Sequence, residues 1–283
     1  MEFDMSSKDK ILEFLEENKE SYTSGEAMAA ALGLSRNAVW KAINDLRKLG
    51  YQIDAISNKG YRLSKGTDII SKQGILSYFN KDKADMLSDN ILIYDTLEST
   101  NKLAKEKAIS GSPNGSLIIA KQQSLGKGRR DHLFYSPEGG IYMSIILSPD
   151  FLPTLDKDVI TAYTGVSVCK AIEELCDIIP GIKPINDLFV NGRKICGILT
   201  ESGIEYETGL VQWIVVGIGI NFDTDVNSFP TDLQEIIGTL FTPGHGSISK
   251  NQLIANIYER LLNWDGLDEN RIKDEFQRRI TMQ

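Results

Sequence analysis

The chain has 283 residues, with 31 Lys and Arg against 39 Asp and Glu, a net charge of −8. That balance excludes a protein that coats nucleic acid over its whole surface, so any DNA contact has to be local. The length suits two domains, no apolar run reaches the ~18 residues of a membrane span, and the acidic, polar start is not a secretory signal. Cys169, Cys176 and Cys196 lack zinc-ligand spacing and read as buried thiols of a reducing, cytoplasmic compartment.

The first sixty-six residues read as a unit. Ile11, Leu12, Phe14 and Leu15 give the apolar face of a helix from Ser7 to the neighbourhood of Asn18. Ser24 can cap a second helix that stops at Gly33, and Ser35 a third that stops at Gly50, with Val39, Ile43 and Leu46 on its buried face. Alternating apolar and polar residues then flank an Asn58-Lys59-Gly60 turn, which predicts a hairpin. Three capped helices followed by a hairpin make a winged helix-turn-helix. Residues 1–34 carry three lysines against eight acids, whereas residues 35–65 carry seven cations against two acids. Charge therefore turns positive where a recognition helix and wing would meet phosphates. Arg36, Asn37, Lys41 and Lys59 are the candidates for DNA contact, and Trp40 is expected to pack between helix and wing.

Ser64 to Asp68 has the composition of a linker, which divides the chain into residues 1–66 and 67–283. A short helix over 69–80 leads to a strand, Ile91–Leu97, and a helix capped by Ser99 or Thr100. Ser116–Gln122 is a second strand. After it, Gly126-Lys127-Gly128-Arg129-Arg130 alternates glycine with cations and lacks periodicity, the composition of a loop that closes over an anion. The apolar run Ile141–Leu147 is either an internal strand or an edge that pairs with a second copy. A long helix over 158–177 follows, with Val166, Cys169, Ile172 and Leu175 as its packing face. Asn191-Gly192 predicts a two-residue hairpin joining Leu188–Val190 to Lys194–Thr200. Trp213–Asn221 is a further strand, with Gly217 and Gly219 on one face, where missing side chains leave room for a flat ligand. Consecutive antiparallel strands with helices between runs predict an α+β fold.

The order STN, QSLGKGRR, KPIND, GRKICGILTE and GIGIN, behind a winged helix, resembles the bifunctional biotin–protein ligases that double as biotin operon repressors. The resemblance covers nearly the whole chain. It implies a class II synthetase-like domain with a mixed, mainly antiparallel sheet. It also implies an ATP-dependent ligase that turns biotin into biotinyl-5'-AMP and transfers it to a lysine of a biotin carboxyl carrier protein. Lys194, Arg129 and Lys183 would be the catalytic cations. Ser99, Thr100, Asn101, Gln123, Lys127, Gly128, Arg129, Lys194 and Gly197 would hold biotin and its activated tail. Asn186, Asp187, Gly217, Gly219 and Asn221 would lie toward the nucleotide. Biotin and ATP are substrates, and magnesium would come with ATP rather than in a protein-built metal site. Operator DNA and the carrier domain are the implied partners, with a homodimer on a two-fold operator. The chemistry needs cations to screen carboxylate from triphosphate. It needs no general base, because the carboxylate is already ionised, which fits His132 and His245 falling in loops.

Several positions depart from the family pattern. Lys127 replaces an arginine and loses its bidentate fork, Ile185 stands where KWPND has tryptophan, and Leu125 replaces a small residue. Asp131 replaces a glycine and adds negative charge near an anion, a repulsion of up to ~3 kcal/mol at ~5 Å and an effective dielectric of about 20. The family's small C-terminal β-barrel-like domain is not contained in this sequence. These departures carry the alternative reading, a biotin- or adenylate-sensing repressor with weak or no ligase activity.

Overall fold

The computed structural model describes residues 5–19, 21–64, 66–264 and 268–280; Lys65 of the expected linker and the side chain of Asp131 lie outside the described residues. The chain divides into two compact units, residues 1–88 with 250–252 and residues 89–249 with 253–283.

In the first unit, α1 (Ser7–Glu17), α2 (Gly25–Leu32) and α3 (Arg36–Lys48) each begin on a serine. The hydroxyls of Ser6, Ser24 and Ser35 accept from the backbone N–H three residues on, satisfying donors that a helix start leaves open. Gly33 ends α2 in the left-handed region, as a glycine after a helix does. Ile11, Leu15, Met28, Val39, Ile43 and Leu46 form one apolar core. Strands β1 (Ile53–Ile56) and β2 (Gly60–Leu63) pair antiparallel to make the wing. Thr23 adds a third edge by exchanging both backbone hydrogen bonds with Tyr61. The helix expected over 69–80 is the shorter α4 (Lys72–Leu76), and a further helix that was not expected, α5 (Lys81–Leu87), follows it. Ser71 caps α4 and Asn80 caps α5.

Trp40 corrects its expectation. It does not pack between helix and wing but is 62% exposed. On α3 the buried face is taken by Val39, Ala42, Ile43 and Leu46. Trp40 therefore falls on the same outward row as Arg36, Asn37 and Lys41. We expect Trp40→Ala to change stability in thermal unfolding by no more than ~0.5 kcal/mol, as at other exposed sites. A loss of ~3 kcal/mol or more, the cost of a buried tryptophan, would contradict this placement.

The second unit is a seven-stranded sheet with helices on both faces. Its strands are β3 (Ile91–Leu97), β4 (Leu117–Gln123), β5 (Ile141–Leu147), β6 (Gly181–Lys183), β7 (Asp187–Val190), β8 (Arg193–Ile204) and β9 (Val211–Ile220). They lie in the order β3-β4-β5-β9-β8-β7-β6. Only β3 and β4 are parallel, joined by a crossover through α6 (Thr100–Ile109); every other neighbour is antiparallel. The α+β expectation holds. β5 is buried along its length because both its edges are paired, to β4 and to β9. It therefore offers no edge to a second copy, and that route to a dimer is closed. Asn191 and Gly192 both have positive φ, as the tight turn from β7 to β8 requires.

α6 packs through Ala104 on Ile118, Ile146 and Val215. α7 (Lys157–Leu175) covers the other face, with Gly165 against Ile182, Leu188 and Ile198. Its burial runs right round the helix from Val159 to Cys169, wider than the expected single stripe. The last helices are α8 (Lys250–Leu261) and α9 (Glu269–Arg278). No described helix is long and apolar enough to cross a membrane.

Candidate ligase site

Strand register builds the site's floor. Tyr142, Gly219, Gly197 and Asp187 form one row across β5, β9, β8 and β7, and Ser144, Gly217 and Leu199 form the next. Both rows face the α6 side, and a cavity of about 500 Å³ opens over them. The glycines are required here by close approach. A Cβ on Gly217 would sit 2.0 Å from Asn101 Oδ1, and one on Gly219 would sit 2.3 Å from the Phe134 ring. The room left by these glycines is thus taken by two of the chain's own side chains.

A β-bulge aims Lys194 into the cavity. Leu188 pairs with Cys196 and Phe189 with Lys194, so β8 carries an extra residue at that step. The extra residue inverts the alternation of side chains, and Lys194 extends along the cavity face to within 3.5 Å of where a Gly197 Cβ would be. Its ammonium meets Asp187 at 2.8 Å and stands 5.9 Å from the centre of the Phe134 ring. Asn186 donates to the same carboxylate at 3.0 Å. Cys196, close by in sequence, is fully buried on the other face; burial holds its thiol well above the usual range, so it is no nucleophile.

The start of α6 and the end of β4 supply a polar wall. Gln123 Oε1 accepts from Thr100 N at 2.7 Å and from the Thr100 hydroxyl at 3.1 Å, while its amide nitrogen donates to Ser136 at 2.8 Å. Ser144, wholly buried in an otherwise apolar strand, donates to Asn101 Oδ1 at 2.6 Å and lies 2.8 Å from Thr100 Oγ1. Ser99 caps α6 through the Lys102 N–H, which leaves its own hydroxyl proton free for a ligand.

The glycine-cation loop folds back on itself as a narrow hairpin. Phe134 N donates to Gly126 O at 2.8 Å and Gly128 N to His132 O at 2.7 Å, with Lys127 bridging Leu133. A single 3-10 turn, Arg129–Asp131, forms the tip, and Arg130 there has φ of 53°. Lys127, Gly128, Arg129 and Arg130 all line the cavity. His132, expected only to fall in a loop, lines the cavity too, because hairpin closure sets it across from Gly128.

Ser99, Thr100, Asn101, Gln123, Asn186, Asp187, Lys194 and the three glycines at 197, 217 and 219 come together around this cavity. Two expected residues do not. Lys183, at the end of β6, is exposed with its ammonium 5.6 Å from the Phe189 ring centre. Asn221 is buried behind the wall, donating to Gly238 O at 3.1 Å and Lys194 O at 3.4 Å. It braces the strand that carries Lys194. The sequence reading missed Phe134, Ser136 and Ser144; a lone serine amid the apolar residues of 141–147 was a visible signal for the last.

A winged-helix unit, and in the second unit a sheet whose cavity pairs a polar wall with cations, fit the class of DNA-binding acyl-activating ligases. Comparison with known proteins agrees on both halves. Residues 93–221 match the model of the biotin/lipoate A/B protein ligase family, and residues 8–62 match an HTH domain. The bifunctional ligase/repressor BirA of Bacillus subtilis is 36% identical over 248 residues, 87% of this chain and 74% of that protein. The Escherichia coli protein of the same name is 28% identical over 201 residues, 71% of this chain and 59% of its own. A biotin protein ligase from Aquifex aeolicus, solved with biotin and ATP, superposes with a TM-score of 0.56 at 25% identity, covering 68% of this chain and 78% of that one. The chain belongs to the family of bifunctional biotin ligase/repressors.

Proposed function

We propose that the chain activates biotin with ATP, transfers it to a carrier lysine, and represses transcription in response to biotin. Membership of the bifunctional family supports both roles. The observation that carries the site assignment is Lys194, turned by a bulge into a cavity that it shares with Lys127 and Arg129. In the first step a biotin carboxylate oxygen attacks the α-phosphate of ATP, and pyrophosphate leaves. In the second, an acceptor amine attacks the acyl carbon of the mixed anhydride, and AMP leaves. Both steps build negative charge on phosphate oxygens, and fixed cations in a partly enclosed site stabilise it without reorganising. Ser99, Thr100, Asn101 and Gln123 would face the biotin ring. Lys127, Gly128 and Arg129 would cover its tail, Gly217 would lie under Asn101 at the ring rather than toward the nucleotide, and Asn186 and Gly219 would lie toward the nucleotide.

Asp187 holds Lys194 in place before substrate arrives, and a phosphate would compete for that ammonium. Among the described residues no three His, Cys, Asp or Glu side chains group as a metal site. Magnesium would enter on ATP, held by phosphate oxygens and water, and its charge would help to neutralise the phosphates. Biotin-dependent release of pyrophosphate from ATP tests the first step, and its absence at saturating biotin contradicts this reading.

Residues 1–66 would meet operator DNA through Arg36, Asn37, Lys41 and Lys59, all exposed on α3 and the wing turn. Arg36 has only a loose 3.8 Å contact with Glu26, both side chains more than three-quarters exposed, so it is available to a phosphate. Arg36→Ala is expected to weaken operator binding and to lower the salt dependence by about one counterion; an unchanged slope removes it from the phosphate contacts. A homodimer is proposed from the two-fold geometry of such operators alone. The carrier protein and the operator would place the chain's work in the cytoplasm.

A further inference from the structure

Asn101 is held from outside the cavity. Its amide nitrogen donates to Glu201 Oε2 at 2.9 Å and to Leu199 O at 3.3 Å. Its oxygen accepts from Ser144 and lies where a Gly217 Cβ would be, on the cavity floor. Glu201 is two residues beyond Leu199 on β8 and so shares the cavity face. Its other oxygen accepts from Lys105 at 2.8 Å. Lys105 is one helical turn beyond Asn101 on α6, so both reach the same carboxylate. The Glu201 and Lys105 side chains are 27% and 25% exposed, and neither lines the cavity.

An asparagine amide can sit either way round, and its neighbours decide which. A carboxylate only accepts, so Glu201 admits the NH₂ end alone and turns the oxygen toward Ser144 and the cavity. We infer that Glu201, held by Lys105, is a positioning residue that fixes Asn101 as a hydrogen-bond acceptor for a ring N–H of the substrate. The inference rests on the biotin reading, since the cyclic urea of biotin supplies such an N–H. Glu201 acts through Asn101 and touches no substrate.

The test uses Glu201→Gln and Lys105→Met in the full chain. Glutamine keeps the shape of Glu201 but offers a donor as well as an acceptor, so only the longer 3.3 Å contact to Leu199 O still selects the amide nitrogen of Asn101. Methionine keeps the bulk of Lys105 and removes the charge that holds the carboxylate. Biotin affinity is measured beside that of a biotin methylated on one ring nitrogen, with thermal unfolding as the check on fold. Glu201→Gln is expected to weaken biotin by about tenfold, the worth of one charge-assisted hydrogen bond, while the KM for ATP stays put. The gap between biotin and the methylated analogue shrinks with it. Lys105→Met moves both readings in the same direction, and Lys105→Arg restores them. Folded variants that bind biotin as the wild type does overturn the inference. So does an equal loss for biotin and the analogue, because the effect would then not pass through an N–H acceptor. A wild-type chain that binds no biotin at all is a different result: it removes the functional reading itself, and this inference with it.

Discussion

Lys194→Ala is expected to lower the rate of adenylate formation by about a hundredfold or more, the usual cost of removing one fixed group that stabilises developing charge. The side chain is partly exposed and its partner Asp187 is equally so, at 27% and 25%. Losing the pair should therefore cost the fold no more than ~1 kcal/mol. Activity and stability then separate cleanly. The measurement is formation of labelled adenylate from α-labelled ATP, with thermal unfolding run on the same samples. Label incorporated at the wild-type rate would show that the bulge does not serve the chemistry. A large fall in the unfolding midpoint would show that Lys194 is structural.

Gly217→Ala is expected to abolish detectable biotin binding while leaving the chain folded. The added methyl would stand 2.0 Å from Asn101 Oδ1, so the amide must move. It cannot move cheaply, because Ser144, Leu199 and Glu201 hold it from three directions. Overpacking of this kind costs ~1–3 kcal/mol of stability. The larger effect falls on the substrate, since the displaced side chain is the one proposed to meet the biotin ring. Calorimetric titration with biotin checks it; an alanine variant with wild-type affinity would mean that Asn101 does not form part of the biotin wall.

Local rules made much of the fold legible. The serine caps Ser24 and Ser35, Gly33 and the Asn191-Gly192 turn each act within a few residues, and the structure places elements there. The motif order led to the polar wall and to Lys194. What was not legible depends on contacts between distant segments. The bulge that aims Lys194 is a mismatch between two strands, and neither strand's sequence alone reveals it. Gly217 and Gly219 read as space for a flat ligand, but Asn101 and Phe134, each more than eighty residues away in the chain, take up that space. Trp40 is expected to pack between helix and wing, whereas helical phase turns it outward. Lys183 and Asn221 carried motif positions, yet one points to Phe189 and the other braces β8.

The central claim is that the cavity over Gly197, Gly217 and Gly219 couples biotin to a carrier lysine at the expense of ATP. Incubation of the full chain with ATP, labelled biotin and a biotin carboxyl carrier domain tests it most directly. We expect label to become covalently attached to the carrier in the wild type, and not with Lys194→Ala. Biotin bound without transfer would contradict the ligase and favour a sensing repressor; a chain that neither binds nor transfers biotin would contradict both.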